Sequence, residues 1–178
     1  MIEYRILSAD DASVYKPVRY RALSEEKNAF SFPPDVFAKM SDEELKQRLT
    51  PDEDHFLVGA FADDGTMVGH AGLFRDAQPK LWNKASIFGT YVAPEWRGQG
   101  IARGLMVYLI SQSNRLPDLR QVQLCVVETQ IPAKTLYESL GFVVYGLEKE
   151  ALFVDGQFLD EYHMQLFLTE EPKSMFKR

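Results

Sequence analysis

Arg97-Gly98-Gln99-Gly100-Ile101-Ala102 stands between two readable elements. Before it runs an apolar, strand-like segment, Ile87-Phe88-Gly89-Thr90-Tyr91-Val92, and a turn, Ala93-Pro94-Glu95-Trp96. After it comes a helix-like run to Ser113. The first turn of a helix leaves backbone N–H groups without partners, and the helix dipole adds partial positive charge there. Glycines let such a backbone approach a pyrophosphate closely. The turn is therefore expected to hold a phosphorylated cofactor; an ordinary strand-to-helix turn is the plainer alternative. The nucleotide-hydrolase loop is excluded, because no Lys-Ser or Lys-Thr follows the glycines. The dinucleotide fingerprint fails as well: Arg103 stands where the third glycine belongs, and Gly104 comes one step late.

A second stretch, residues 124–142, reads Leu-Cys-Val-Val-Glu-Thr-Gln-Ile-Pro-Ala-Lys-Thr-Leu-Tyr-Glu-Ser-Leu-Gly-Phe. Together the two segments resemble the GNAT N-acetyltransferase superfamily. Arg97, Gly100 and Ala102 match its Arg/Gln-x-x-Gly-x-Gly/Ala signature. Ala133, Leu136, Tyr137, Glu138, Leu140, Gly141 and Phe142 match the later motif. Gln130 departs from the family's usual Asn; it keeps the amide but is longer. The resemblance is densest over residues 85–145.

It implies an α/β (mixed α+β) fold: one mixed sheet of about seven strands, splayed in the middle and flanked by about four helices. The local patterns agree. Ile2 to Leu7 alternates as a strand. Ser8 to Asp11 supplies caps for a helix to about Leu23, with Pro17 expected to kink it or delay its start. Residues 28–36 read as a loop, and Ser41-Asp-Glu-Glu44 is a capping box for a helix to Leu49. Strands are expected at Phe56–Phe61 and Met67–Phe74 around the turn Asp63-Asp64-Gly65. Ile87–Val92 should be the central strand, followed by a helix from Gly100 to Ser113. A strand at Gln121–Val127 and a helix at Pro132–Ser139 come next. Strands at Phe142–Leu147 and Glu161–Leu168 finish the domain, which should span residues 1–171, with 172–178 as a tail.

At 178 residues the chain is long enough for one sizeable core, and 46% hydrophobic with 26% charged residues is an ordinary globular balance. No apolar run approaches a membrane span. The opening residues carry no basic-then-apolar signal pattern, and a single cysteine excludes a disulfide framework or a multi-cysteine zinc site. These features point to the cytoplasm, to no membrane partner and to no metal. A net charge of −6 argues against a nucleic-acid partner.

By resemblance, acetyl-coenzyme A is the co-substrate and a primary amine, on a small molecule or a peptide, is the acceptor. The cofactor's pyrophosphate would lie on the amides of Gln99 to Arg103, with Arg97, Gly98 and Gln130 beside it. The pantetheine arm would add along Tyr91 and Val92 as a peptide adds to a sheet edge. Tyr137 is the family's proton donor to the leaving thiolate, or else a packing residue. The family's usual glutamate base is missing from Ala85-Ser86-Ile87. Glu128, at the end of a strand beside the cleft, is the base put forward; His70, His163 or a water chain are alternatives. Cys125, in Leu-Cys-Val-Val with nothing basic next to it in sequence, reads as core rather than as a covalent acyl carrier. That favours direct transfer in a ternary complex.

The acceptor pocket is expected between residues 20–34, with Phe30 and Phe32 as its aromatics, and the loop 155–160. Glu25, Glu26, Asp155 or Asp160 could hold an amine's charge there. Polyamines or amino acids, aminoglycoside-like compounds, and protein amines all stay open as acceptors. A homodimer fits the family's tendency to pair. The missing glutamate keeps one reading of another kind, a non-catalytic acyl-coenzyme A sensor or partner module.

Overall fold

The architecture is set by where the two apolar faces of the central strands go. In the computed structural model, which describes residues 1–76 and 78–168, β2 (His55–Ala62) and β3 (Met67–Arg75) are apolar on both faces. Successive side chains of a strand alternate sides. Val58 and Ala60 accordingly pack with Leu105, Met106 and Leu109 of α4 (Ile101–Ser113). Leu57 and Phe61 pack instead with Tyr15 and Leu23 of α1 (Ala12–Glu25) and with Leu45 and Leu49 of α3 (Asp42–Leu49). The sheet is thus sandwiched between helices.

The remaining strands are β1 (Ile2–Ile6), β4 (Lys84–Val92), β5 (Gln121–Val127), β6 (Val143–Val154) and β7 (Gln157–Phe167). The remaining helices are α2 (Pro34–Ala38) and α5 (Ile131–Ser139). All seven strands join one sheet in the order β1-β2-β3-β4-β5-β7-β6. Every neighbouring pair is antiparallel except β4 and β5, which run parallel. Those two strands pair only at Lys84↔Gln121, Ala85↔Val122 and Ser86↔Gln123. Beyond Ser86 they diverge, and the splay expected in mid-sheet opens there. Buried Arg75 secures the closed end by donating to the Pro117 carbonyl at 2.7 Å.

Most local signals hold. Ser41 and Glu44 form the capping box of α3. Four segments differ, the first being β7, which opens at Gln157 rather than at the expected Glu161 because it pairs with the extended β6. Pro17 lies inside α1, which starts at Ala12 and continues to Glu25. The expected loop 28–36 ends early, because Pro34 opens a short helix; proline suits a first helical position, where no N–H partner is needed. The expected strand Phe142–Leu147 runs to Val154 through Glu148-Lys149-Glu150, where a register shift and Glu150 at φ 55° mark a bulge. Among the described residues five helices flank the sheet, where about four were expected. The expected tail 172–178 and the domain end at 171 lie outside the described residues. No helix of the described residues is long and apolar enough to cross a membrane.

Candidate active site

A cleft of about 450 Å³ opens where β4 and β5 part. Its walls are Ile87 to Val92 on one side and Leu124 to Val127 on the other. Residues 100–103 and α5, through Ala133, Leu136 and Tyr137, close one end.

That end is built by backbone. Gly98 (φ 75°) and Gly100 (φ 78°) are left-handed, and a Cβ at either would meet nothing within 4 Å. Strain rather than crowding therefore selects glycine, and the space above the turn stays open. Gly100 caps α4 without any side-chain hydrogen bond, and Gly104 N–H, bonding Gly100 O at 3.0 Å, is the first to reach back. The amides of Ile101, Ala102 and Arg103 are left as donors at the positive end of the helix dipole.

Of the residues expected to hold a cofactor, Tyr91, Val92, Arg97, Gly98, Gly100, Ile101, Ala102, Arg103 and Gln130 all line the cleft. Gln99 does not; it is exposed on the turn. Arg97 is already engaged. Its Nε donates to Val92 O at 2.9 Å and its Nη2 to Glu26 Oε1 at 2.6 Å. Arg103 Nη1 donates to Ser139 Oγ at 2.9 Å. Both side chains brace the rim, so the free donors at this end are main-chain ones.

Tyr137 lines the cleft and is buried, its ring 5.9 Å from that of Phe142. Burial pushes its phenol pKa up, with the Thr90 hydroxyl pulling it partly back. The phenol stays protonated at neutral pH and can donate. Glu128 is not part of the cleft wall; its N–H bonds Asp160 O at 2.9 Å. His70 is fully buried, and burial, with Arg19 second, holds its pKa well below 6.5, which makes it a weak base.

Cys125 is the correction. It is exposed and lines the cleft rather than sitting in the core. Leu124 and Val126 face the core, so the residue between them faces the other way. Its neighbour across β5 and β7 is His163, whose Nδ1 lies 3.5 Å from Sγ. His163 Nε2 in turn lies 2.9 Å from Glu148 Oε2. A carboxylate at Nε2 favours the tautomer with its proton there, leaving the Nδ1 lone pair toward Cys125. Although the residue reaches the cleft, its thiol is partly enclosed by the wall, and that desolvation, with Glu161 and Glu148, pushes its pKa up to about 11, so Cys125 is a thiol at neutral pH. This chain of side chains was hidden from sequence reasoning, because β5 pairs with β7 rather than with the next strand.

Phe30 reaches the cleft, whereas Phe32 packs against Phe37 in the core beneath α1. The acidic residues expected to hold an amine are paired instead. Glu25 meets Arg21, Glu26 meets Arg97, Asp160 meets Lys149, and Asp155 lies 3.9 Å from Lys27. No group of His, Cys, Asp and Glu among the described residues is placed to hold a metal ion.

A seven-stranded sheet splayed beside an uncapped glycine turn defines a class, and comparison with known proteins agrees. A family model described as "Acetyltransferase (GNAT) family" matches residues 20–142, and the chain belongs to that family. It is 29% identical over 101 residues to the L-amino acid N-acetyltransferase AaaT of Escherichia coli strain K12, covering 57% of this chain and 62% of that one. The match thus spans less than two thirds of that relative. The fold is similar to a GNAT-family acetyltransferase from Streptococcus pneumoniae (TM-score 0.85, 21% identity, 94% of this chain and 99% of that one). It is also similar to a phosphinothricin acetyltransferase from Sinorhizobium meliloti in complex with AcCoA (TM-score 0.79, 22% identity, 94% and 88% covered).

Proposed function

We propose that this chain moves an acetyl group from acetyl-coenzyme A to a primary amine by direct attack in a ternary complex. The observation that carries the reading is the parting of β4 from β5 after three paired positions, beside the free amides at the start of α4. The cofactor diphosphate lies on the amides of residues 101–103, and its pantetheine arm runs along the open edge of β4. The Sinorhizobium relative, crystallised with AcCoA, supports the choice of cofactor.

In the reaction the amine nitrogen forms a bond to the thioester carbonyl carbon, and charge builds on the carbonyl oxygen. A main-chain N–H of β4 stabilises that oxyanion. The C–S bond then breaks, the departing thiolate takes the Tyr137 proton, and the phenolate recovers a proton from the nitrogen that becomes the amide. The attacking ammonium must first lose a proton. His163, set behind the cleft wall, is the base of this proposal: Glu148 fixes its tautomer, and its Nδ1 faces the Cys125 thiol, which lines the cleft and relays the amine's proton to it. A thiol pKa pushed up to about 11 supports direct attack over an acetyl-cysteine intermediate.

The proposal treats residues 1–171 as one domain, supported by a single sheet that draws strands from both ends of the described chain. It includes a homodimer, supported by the exposed apolar side chains Val143, Tyr145 and Leu147 on edge strand β6; sedimentation that finds only monomer at micromolar concentration removes that part.

The test is release of free coenzyme A from acetyl-coenzyme A with a panel of amines. Turnover should appear, and Tyr137→Phe should lower kcat by about a hundredfold or more. Tight cofactor binding with no turnover on any amine would overturn the enzyme reading in favour of the sensor module.

A further inference from the structure

Three buried side-chain atoms among the described residues have no hydrogen-bond partner: Arg19 Nη1, His70 Nε2 and Tyr91 Oη. Buried polar groups are nearly always satisfied, so such exceptions ask for an explanation. These three are not scattered. His70 and Tyr91 face each other across β3 and β4, with ring centroids 5.8 Å apart. The Arg19 guanidinium reaches from α1 to β4 at Gly89, two residues before Tyr91.

Arg19 is the one with charge. It is 8% exposed, and its side chain makes no ion pair or hydrogen bond with the described residues; the Phe30 ring lies 4.8 Å from its guanidinium carbon. Of the titratable groups acting on it, the Tyr15 phenol is neutral at pH 7 and Arg48 is a like charge. A lone buried cation is costly, and it becomes favourable when an anion completes the pair. The site also has a window. Gly89 lines the cleft at φ 65°, and a Cβ there would lie 3.3 Å from Arg19 Nη1. Arg19 itself is set back from the cleft lining, and Gly89 is the lining residue whose missing side chain leaves the guanidinium within reach behind it. Phe30, on its other side, lines the same cleft.

We propose that the amine acceptor carries a carboxylate and that Arg19 receives it. A guanidinium matches a carboxylate with two parallel N–H···O bonds, and the Tyr91 hydroxyl can add a third donor. This deepens the acetyl-transfer reading and rests on it. The two walls of the cleft then differ in sign. Arg19 sits behind the β4 wall, while Glu148 and His163 stand behind Cys125 on the β5 wall. A molecule bearing a carboxylate and an ammonium fits that polarity; a polyamine, cationic at every end, meets Arg19 as repulsion. The acceptor class is therefore a small amino-carboxylate of the α-amino acid kind, with its apolar part against Phe30 and Phe88.

The experiment compares matched pairs: L-phenylalanine, L-leucine and L-lysine, each against its carboxamide, with spermidine as a polyamine. Calorimetric binding to the coenzyme A-loaded protein is read alongside kcat/KM. The acids should be preferred over the amides by about a hundredfold, the loss typical when a buried charge is left without its partner. In Arg19→Met the acid-to-amide ratio should fall toward one, and Arg19→Lys should restore part of it. That ratio is insensitive to a general loss of fold, and the wild-type comparison needs no variant. Equal handling of acid and amide by the wild-type protein, or a preference for spermidine, overturns the proposal. If no amine turns over, the acetyl-transfer reading fails separately. Calorimetry then decides this one: acid bound more tightly than amide by wild type but not by Arg19→Met supports it, and equal affinities overturn it.

Discussion

Cys125 and His163 face each other across β5 and β7, and their pairing sets the reactivity of one cleft wall. With the thiol pushed up to about 11, alkylation by iodoacetamide should accelerate about tenfold per pH unit through neutral and mildly alkaline pH, because the thiolate is the nucleophile. The profile should level off near 11. Glu148→Gln removes one of the charges that raise the value and should move the plateau to lower pH. A plateau near 8.5 in the wild-type protein would instead revive the acetyl-cysteine route. At this scale Tyr137 and the glycine turn were legible, since each belongs to a contiguous motif. Cys125 was not, because an apolar strand sequence does not say which face meets a helix. Arg19 was also missed: nothing in its neighbours along the chain tells that it is buried without a partner.

Element starts carry much of the local specification. Asp11, just before α1, accepts from Arg5 Nη1 at 2.8 Å and Nη2 at 2.6 Å, and from Ser8 N–H at 2.8 Å. The Arg5 hydrogen bonds, opposed by burial, hold its carboxyl below the usual aspartate value. A depressed folded-state value means that the stabilisation is present above the ordinary aspartate range. It is lost as pH falls through the lower, folded-state value. Asp11→Asn should therefore cost about 1–3 kcal/mol at pH 7 by urea unfolding, and the gap to wild type should narrow as pH falls through the lowered folded-state value. At α4, Gly100→Ala forces a side chain into left-handed backbone at a cost of about 1–2 kcal/mol. It should weaken coenzyme A binding more than acceptor binding in the same titration. Short-range signals such as the Ser41–Glu44 capping box and the Asp63-Asp64-Gly65 turn could be read directly, because neighbours in sequence make them. The full length of β6 could not, because Glu148-Lys149-Glu150 looks like a loop until β7 lies alongside it.

Across the whole molecule, the order of elements implied the sheet, while its non-sequential pairing β5-β7-β6 came only from the structure. Ligand binding should register at this scale. Coenzyme A at a hundred times its Kd should stabilise the native state by about 2.7 kcal/mol. For a chain of this size that is a rise in Tm of roughly 5–10 °C in a scanning experiment. No shift with either coenzyme A or acetyl-coenzyme A would count against the cofactor site. The three-position seam between β4 and β5 has a mechanical corollary. Tension applied through residues 90 and 125 loads those few backbone bonds one after another, as in unzipping, so the empty protein should rupture there at low force. A pantetheine arm lodged in the gap would act as a cross-stitch, and the rupture force would then report occupancy one molecule at a time.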